Sequence, residues 1–168
     1  MSTNVTDAFT DSVADTGATV EVVPAAAAED AIAAALDSPA VGTALPFEGV
    51  ELPETVTTEP GPAELADAST GVTPARLGVA ALGSILIHSS PEGDEPVSLY
   101  PNRHVAVVAA SALVEGTRDA VDWLADEFDA GRDSYVFATG PSATADMGGL
   151  VEGVHGPNEV HVVVLKDR

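Results

Sequence analysis

The chain contains no cysteine. Disulfides, thiol nucleophiles, cysteine-ligated zinc and iron–sulfur clusters are therefore excluded within it. Basic residues are scarce: six Lys and Arg stand against 27 Asp and Glu, a formal net charge of −21, and Lys166 is the sole lysine. So acidic a surface repels DNA, RNA and anionic lipid, whose recognition needs cations that displace counterions. Aromatics make up 4% of the residues, so core layers must lie close together. The longest apolar run, Val105 to Val114, falls short of the ~20 residues that span a bilayer. The first residues, MSTNVTDAFTDS, have neither the basic nor the apolar stretch of a secretory signal. These absences lead us to expect a soluble cytoplasmic protein with no nucleic-acid partner and no membrane span.

What is present is a globular composition. The 168 residues are 45% apolar, mostly Ala and Val, with a mean hydropathy of +0.19, enough for one domain with a core. The acidic residues are scattered along the chain with no long block. That pattern suits a halophilic cytoplasm, where salt screens self-repulsion within a few Å; a specific basic partner is the competing reading.

Residues 1–16 are polar, with Val5, Phe9 and Val13 spaced four apart, which fits a short helix or a mobile tail. GATVEVV (Gly17 to Val23) alternates as a strand, and Pro24 to Pro39 reads as a helix that starts at a proline and stops at one. A short second strand is expected near Val41 to Leu45, and a short helix at Ala63 to Ala68. Arg76 to Ser90 reads as two strands with Gly83 at the bend between them. His104 to Ala110 is a nearly continuous apolar strand, as in sheets covered on both faces. Thr117 to Gly131 predicts a helix capped by Thr117, with Gly131 just past its end and a buried stripe of Val121, Leu124, Ala125 and Phe128. Ser134 to Ala138 and Val160 to Leu165 complete the strands. Alternation of strands and helices predicts an α/β fold, a mostly parallel central sheet with helices on both faces, formed as a single domain over residues 17–168.

The final two apolar strands flank TGPSATADMGGLVEGVHGP, Thr139 to Pro157. In open α/β sheets ligands bind beyond the carboxyl ends of the strands, and this loop is expected there. Gly140 can let backbone approach a ligand, Pro141 stiffens the turn, and Ser142 and Thr144 supply hydroxyls. A helical turn over residues 142–147 would present free N–H groups to an anion. The commoner outcome for such residues is that Ser142 caps the turn and Asp146 satisfies local backbone donors. His155, set between glycines, suits a proton carrier or a ligand donor, and equally a turn histidine bound to backbone carbonyls. Ser142, Asp146 and His155 follow the triad order of α/β-hydrolases, but the G-x-S-x-G elbow is missing. His88, His104, His155 and His161 lack the spacing of a metal-binding helix, so no metal site is expected. Neither phosphate-binding glycine motif, G-x-x-x-x-G-K-[ST] or G-x-G-x-x-G, occurs.

Three blocks taken together resemble the LUD-domain family, the lactate utilization protein C group. They are ADASTGVTPARLGVAALGSILI (Ala66 to Ile87), SLYPNRHVAVV (Ser98 to Val108) and ATGPSATADMGGLVEGVHGPNEVHVVVL (Ala138 to Leu165). The resemblance implies a fold similar to the ribose-5-phosphate isomerase, glucosamine-6-phosphate deaminase and CoA-transferase group. It also implies a part in the oxidation of L-lactate to pyruvate, beside partner proteins that carry iron–sulfur clusters. No cofactor is expected in this chain. The implied ligand site is Thr139, Gly140, Pro141, Ser142, Thr144, Asp146 and Gly156, taking a small anionic ligand or a partner, with His155, His104 and Asp146 as catalytic candidates. Homo-oligomerisation, an assembly role without catalysis, and an isomerase or hydrolase activity on a phosphorylated or acyl substrate stay open.

One departure stands out. The family usually carries A-E-T-G-[ST] in the first block, where this chain has Ala80-Ala81-Leu82-Gly83-Ser84. Neither replacement can accept a proton. The glycine-rich basic segment of the 5-formyltetrahydrofolate cyclo-ligases and the S-E-N-G glutamate of CoA-transferases are also missing.

Overall fold

The computed structural model describes residues 2–146, 149–152 and 156–168, with residues 2–4, 143–146 and 149–152 described by their backbone alone. In chain order the elements are α1 (Ser2–Asp15), β1 (Thr19–Val23), α2 (Ala28–Ala35), β2 (Ala40–Gly42), β3 (Val56–Thr58), α3 (Pro62–Asp67) and β4 (Thr70–Pro74). There follow β5 (Leu77–Val79), β6 (Ser84–His88), α4 (Asp94–Leu99), β7 (Arg103–Ala109), β8 (Leu113–Val114) and α5 (Thr117–Asp129). The last strands are β9 (Tyr135–Thr139), β10 (Ala143–Asp146), β11 (Gly149–Glu152) and β12 (Glu159–Leu165).

Six strands form the expected parallel sheet, in the order β1-β12-β7-β4-β2-β3. Its centre is the β7–β12 pair, matched from Arg103↔Glu159 to Ala109↔Leu165. The unbroken apolar runs there have a simple cause: both faces are covered. On one face Val105, Val107, Val163 and Leu165 meet Ala28, Ala31 and Ile32 of α2. On the other, Ala106, Val108, Val162 and Val164 meet Phe9 and Val13 of α1 and Ile85 and Ile87 of β6. The N-terminal stripe of Val5, Phe9 and Val13 thus belongs to a helix that buries Phe9 and Val13 completely.

The second face differs from the expectation of a helical layer. Besides α1 and α4 it carries a four-stranded sheet, β8-β5-β6-β9. β9 therefore leaves the central sheet and pairs antiparallel with β6. Close layering follows from small residues. At Gly71 of β4 an added Cβ would lie 1.9 Å from the Val97 carbonyl oxygen of α4. Gly83 sits in the turn between β5 and β6 with φ +62°, where an added Cβ would lie 2.5 Å from the Ser12 carbonyl oxygen.

Helix α5 is where apolar periodicity misleads. Val121 and Phe128 are 55% and 49% exposed, while Ala120 and Glu127 are buried and Trp123 and Leu124 pack on Leu77, Val79 and Leu86. The buried stripe is rotated by one residue, and it includes a carboxylate. Glu127 accepts two hydrogen bonds of 2.6 Å from Arg132, one from the Tyr135 hydroxyl, and one of 3.4 Å from Arg76. These partners hold its carboxyl down at about 2, with the Arg132 hydrogen bonds as the main cause. The cap also differs: Gly116 is the N-cap residue, and its N–H donates to Asp119 at 3.0 Å. Gly131 does sit just past the helix end, with φ +83°.

Because Glu127 titrates lower in the folded chain than its usual 4.5, its stabilising effect is complete above that value and lost as pH falls toward about 2. The difference in melting temperature between wild type and Glu127→Gln should therefore shrink steadily over that window; a difference constant with pH would contradict the buried ionic hub. Gly71→Ala should cost several kcal/mol or abolish folding, since a buried backbone carbonyl must move; a denaturation midpoint like that of wild type would contradict the contact.

Candidate functional site

The strand β9 delivers Thr139 to the end of the small sheet, and the chain turns at Gly140, whose φ is +65°. It passes Pro141 and Ser142, then returns through Gly156 and Pro157 into β12. The two arms are tied together, because the Ser142 N–H donates to the Pro157 carbonyl at 2.8 Å. Beside the returning arm β7 begins, with His104 opposite Val160. These segments, the end of α4 at Ser98 and Leu99, and Val136 to Ala138 of β9 enclose a cavity of about 250 Å³.

His104 lines that cavity and is 1% exposed. Its Nε2 is 2.8 Å from the Thr73 hydroxyl of β4. Burial pushes its pKa down to about 4, so at neutral pH the ring is an uncharged hydrogen-bonding group. Thr139 makes a 2.6 Å hydroxyl–hydroxyl hydrogen bond with Ser84. Among the described residues lining the cavity there is no Lys or Arg. Any anion here would be held by neutral donors alone.

The structure brings together Thr139, Gly140, Pro141, Ser142, Gly156 and His104 of the residues singled out from sequence. His155 lies outside the described residues, as do the side chains of Thr144 and Asp146. Three readings of the loop are corrected. The cavity lies at the amino ends of β7 and β12 instead of the carboxyl edge, because β9 runs in the other sheet. Residues 143–146 are a strand paired antiparallel with 149–152, so among the described residues of the loop there is no helical turn to present its N–H groups to an anion; turn-forming residues suggested local closure, but the GLVE segment supplies a pairing partner. Gly140 serves packing, since an added Cβ would lie 2.7 Å from the Thr16 Cβ and 2.8 Å from its carbonyl oxygen.

Sequence reasoning missed Thr73, the partner of His104. Its only signal was a polar residue inside the short run TGVTP, and buried threonines in strands are common. The turn around Ala81 and Leu82 does not line this cavity. Ala81 lines a separate space of about 330 Å³ beneath α1, together with Glu115. The two blocks meet through the Ser84–Thr139 hydrogen bond.

The family model of the LUD domain matches residues 56–165. The chain belongs to the LUD-domain family. It is 32% identical to a lactate utilization protein C of Deinococcus radiodurans, over 94% of this chain and 77% of that protein. It is 31% identical to the lactate utilization protein C of Bacillus subtilis, over 60% of this chain and 44% of that one. The match thus spans less than half the length of the Bacillus protein. A crystal structure of a DUF162 family protein from Deinococcus radiodurans superposes with a TM-score of 0.78 at 26% identity, covering 99% of each chain. The matched region of the LUD domain contains both arms of the loop, His104 and Thr73.

Burial of His104 can be read directly. Its ring resonances should titrate near 4, well below the usual 6.5. Since the folded value is the lower one, its contribution to stability is complete above 6.5 and declines as pH falls toward about 4. A ring titrating near 6.5 by NMR would contradict the buried placement.

Proposed function

We propose that this LUD-domain chain serves the utilization of L-lactate, its oxidation to pyruvate, beside partner proteins that carry the iron–sulfur clusters. Two considerations support the assignment to that process: the names of the relatives, and the family model that spans most of the chain. The clusters themselves are what the family resemblance implies, and composition keeps them off this chain, because a chain without cysteine offers no thiolate to a cluster.

Within that process the loop cavity is the ligand site. The observation that carries this reading is the closure of both loop arms over a buried, neutral His104. A group of this kind is costly to bury unless it is hydrogen-bonded, and Thr73 satisfies one side of it. In this reading the other ring nitrogen is the one that meets the ligand. A small hydroxy or oxo acid suits the space: its oxygens accept from His104 and the Ser142 hydroxyl, and hydrogen bonds to an ionised acceptor are the strong ones. That no Lys or Arg stands among the described residues lining the cavity disfavours polyphosphorylated or nucleotide ligands in a chain of net charge −21.

A second reading has its own support. Ala81 and Leu82 carry no polar group where the resemblance implies Glu and Thr, which fits a chain that positions iron–sulfur partners without reacting. Co-purification at native salt separates the two, since an assembly module is recovered with its partners.

Deleting the gene should abolish growth on L-lactate and leave growth on other carbon sources intact; unimpaired growth on lactate would overturn the assignment. In the purified protein, His104→Gln and Ser142→Ala should each weaken binding of lactate or pyruvate about ten-fold, the value of one hydrogen bond to a charged group. Unchanged affinity in both variants would remove the site.

A further inference from the structure

The carboxyl ends of β1, β7 and β12 open on a different space, a crevice of about 600 Å³ on the same face of the sheet as the loop cavity but at the other end of the strands. Its walls come from α1 and from the residues that leave each strand. Val22 and Leu113 give it an apolar lining, and Val22 is 40% exposed, one of few large apolar residues left open to water. At its rim stand Ser111, Lys166 and Arg168, with Asp7 of α1 also lining it.

The charges here are unusual for this molecule. Only six residues of the chain are cationic. Arg76 and Arg132 pair with Glu127, Arg103 pairs with Asp37 and Glu159, and Arg168 contacts Asp167. Arg168 also donates to the Glu48 carbonyl at 2.8 Å. Among the described residues Lys166 and Arg118 make no ion pair, and Lys166 is the one that lines a crevice. Elsewhere the acidic surface repels anions. Here an unpaired ammonium and an engaged guanidinium make a local site that can hold one. Its place is the one where open α/β sheets take their ligands.

We propose that this crevice is a second ligand site, which takes a small organic carboxylate: Lys166 holds the carboxylate, the Ser111 hydroxyl donates to it, and Val22 and Leu113 cover its aliphatic body. Asp7 and the net charge select a monoanion over a phosphate dianion, since one unpaired cation cannot offset two charges beside a carboxylate. The site is independent of the loop cavity, which lies at the opposite ends of the same strands, and it stands whether or not that cavity binds lactate.

The test is an amide NMR titration at fixed high chloride, with sodium butyrate as one arm and inorganic phosphate as the other. Butyrate should shift the amides of Val22, Ser111 and Lys166 saturably. Lys166→Glu should weaken that binding about ten-fold or more, and Ser111→Ala by a smaller factor, with the remaining spectrum unchanged. Lys166 is exposed, so the variant should fold. Four results overturn the proposal: no saturable shift, shifts confined to Gly140, Ser142 and Gly156, an affinity insensitive to Lys166→Glu, or phosphate binding as tightly as butyrate.

Discussion

Parallel pairing of β7 with β12 is the constraint on which the rest of the molecule depends. Seven residues of each strand lie in register, and their side chains alternate between two separate cores. Each fully buried Val or Leu on these strands contributes roughly 1.5–3 kcal/mol, so a slip of register would expose both cores together. That fixed register also places the chemistry. At the amino ends it sets His104 beside Val160 and draws the returning arm of the loop over it. At the carboxyl ends it sets Ser111 and Lys166 around a shared crevice.

Much of the architecture is legible in the sequence, for physical reasons. A strand buried on both faces must be apolar throughout, and VAVV and VVVL are. Pro24 announces the start of α2, which opens as a 3-10 turn right after it but stops at Ala35, short of the end expected at Pro39. What the sequence conceals is partnership. SYVFA is recognisable as a strand, but nothing local says that it joins β6 in a second sheet, and that choice moves the loop to the opposite end of the parallel strands. The same limit applies to α5. Periodicity assigns Phe128 to the core and Glu127 to water, whereas Arg76, Arg132 and Tyr135 reverse them.

Glycine shows the limit from another direction. Gly140 suggested room for a ligand, and the room is taken by Thr16 at the end of α1. Apart from His104 on β7, the candidate site residues are adjacent in sequence, and so recognisable, because they form one loop. Thr73, which holds His104, comes from a strand thirty-one residues away and carries no motif of its own. The chemistry of the cavity follows from that pair: a ring kept neutral by burial in a chain that is strongly acidic.

The central claim is that both loop arms close over a neutral His104 to bind a small hydroxy or oxo acid. It is tested most directly by following the ¹⁵N resonances of the His104 ring while L-lactate or pyruvate is added at neutral pH and native salt. The account predicts that one ring nitrogen moves saturably with ligand while the ring stays uncharged. Ring resonances that do not move, or that report a protonated imidazolium, would contradict it.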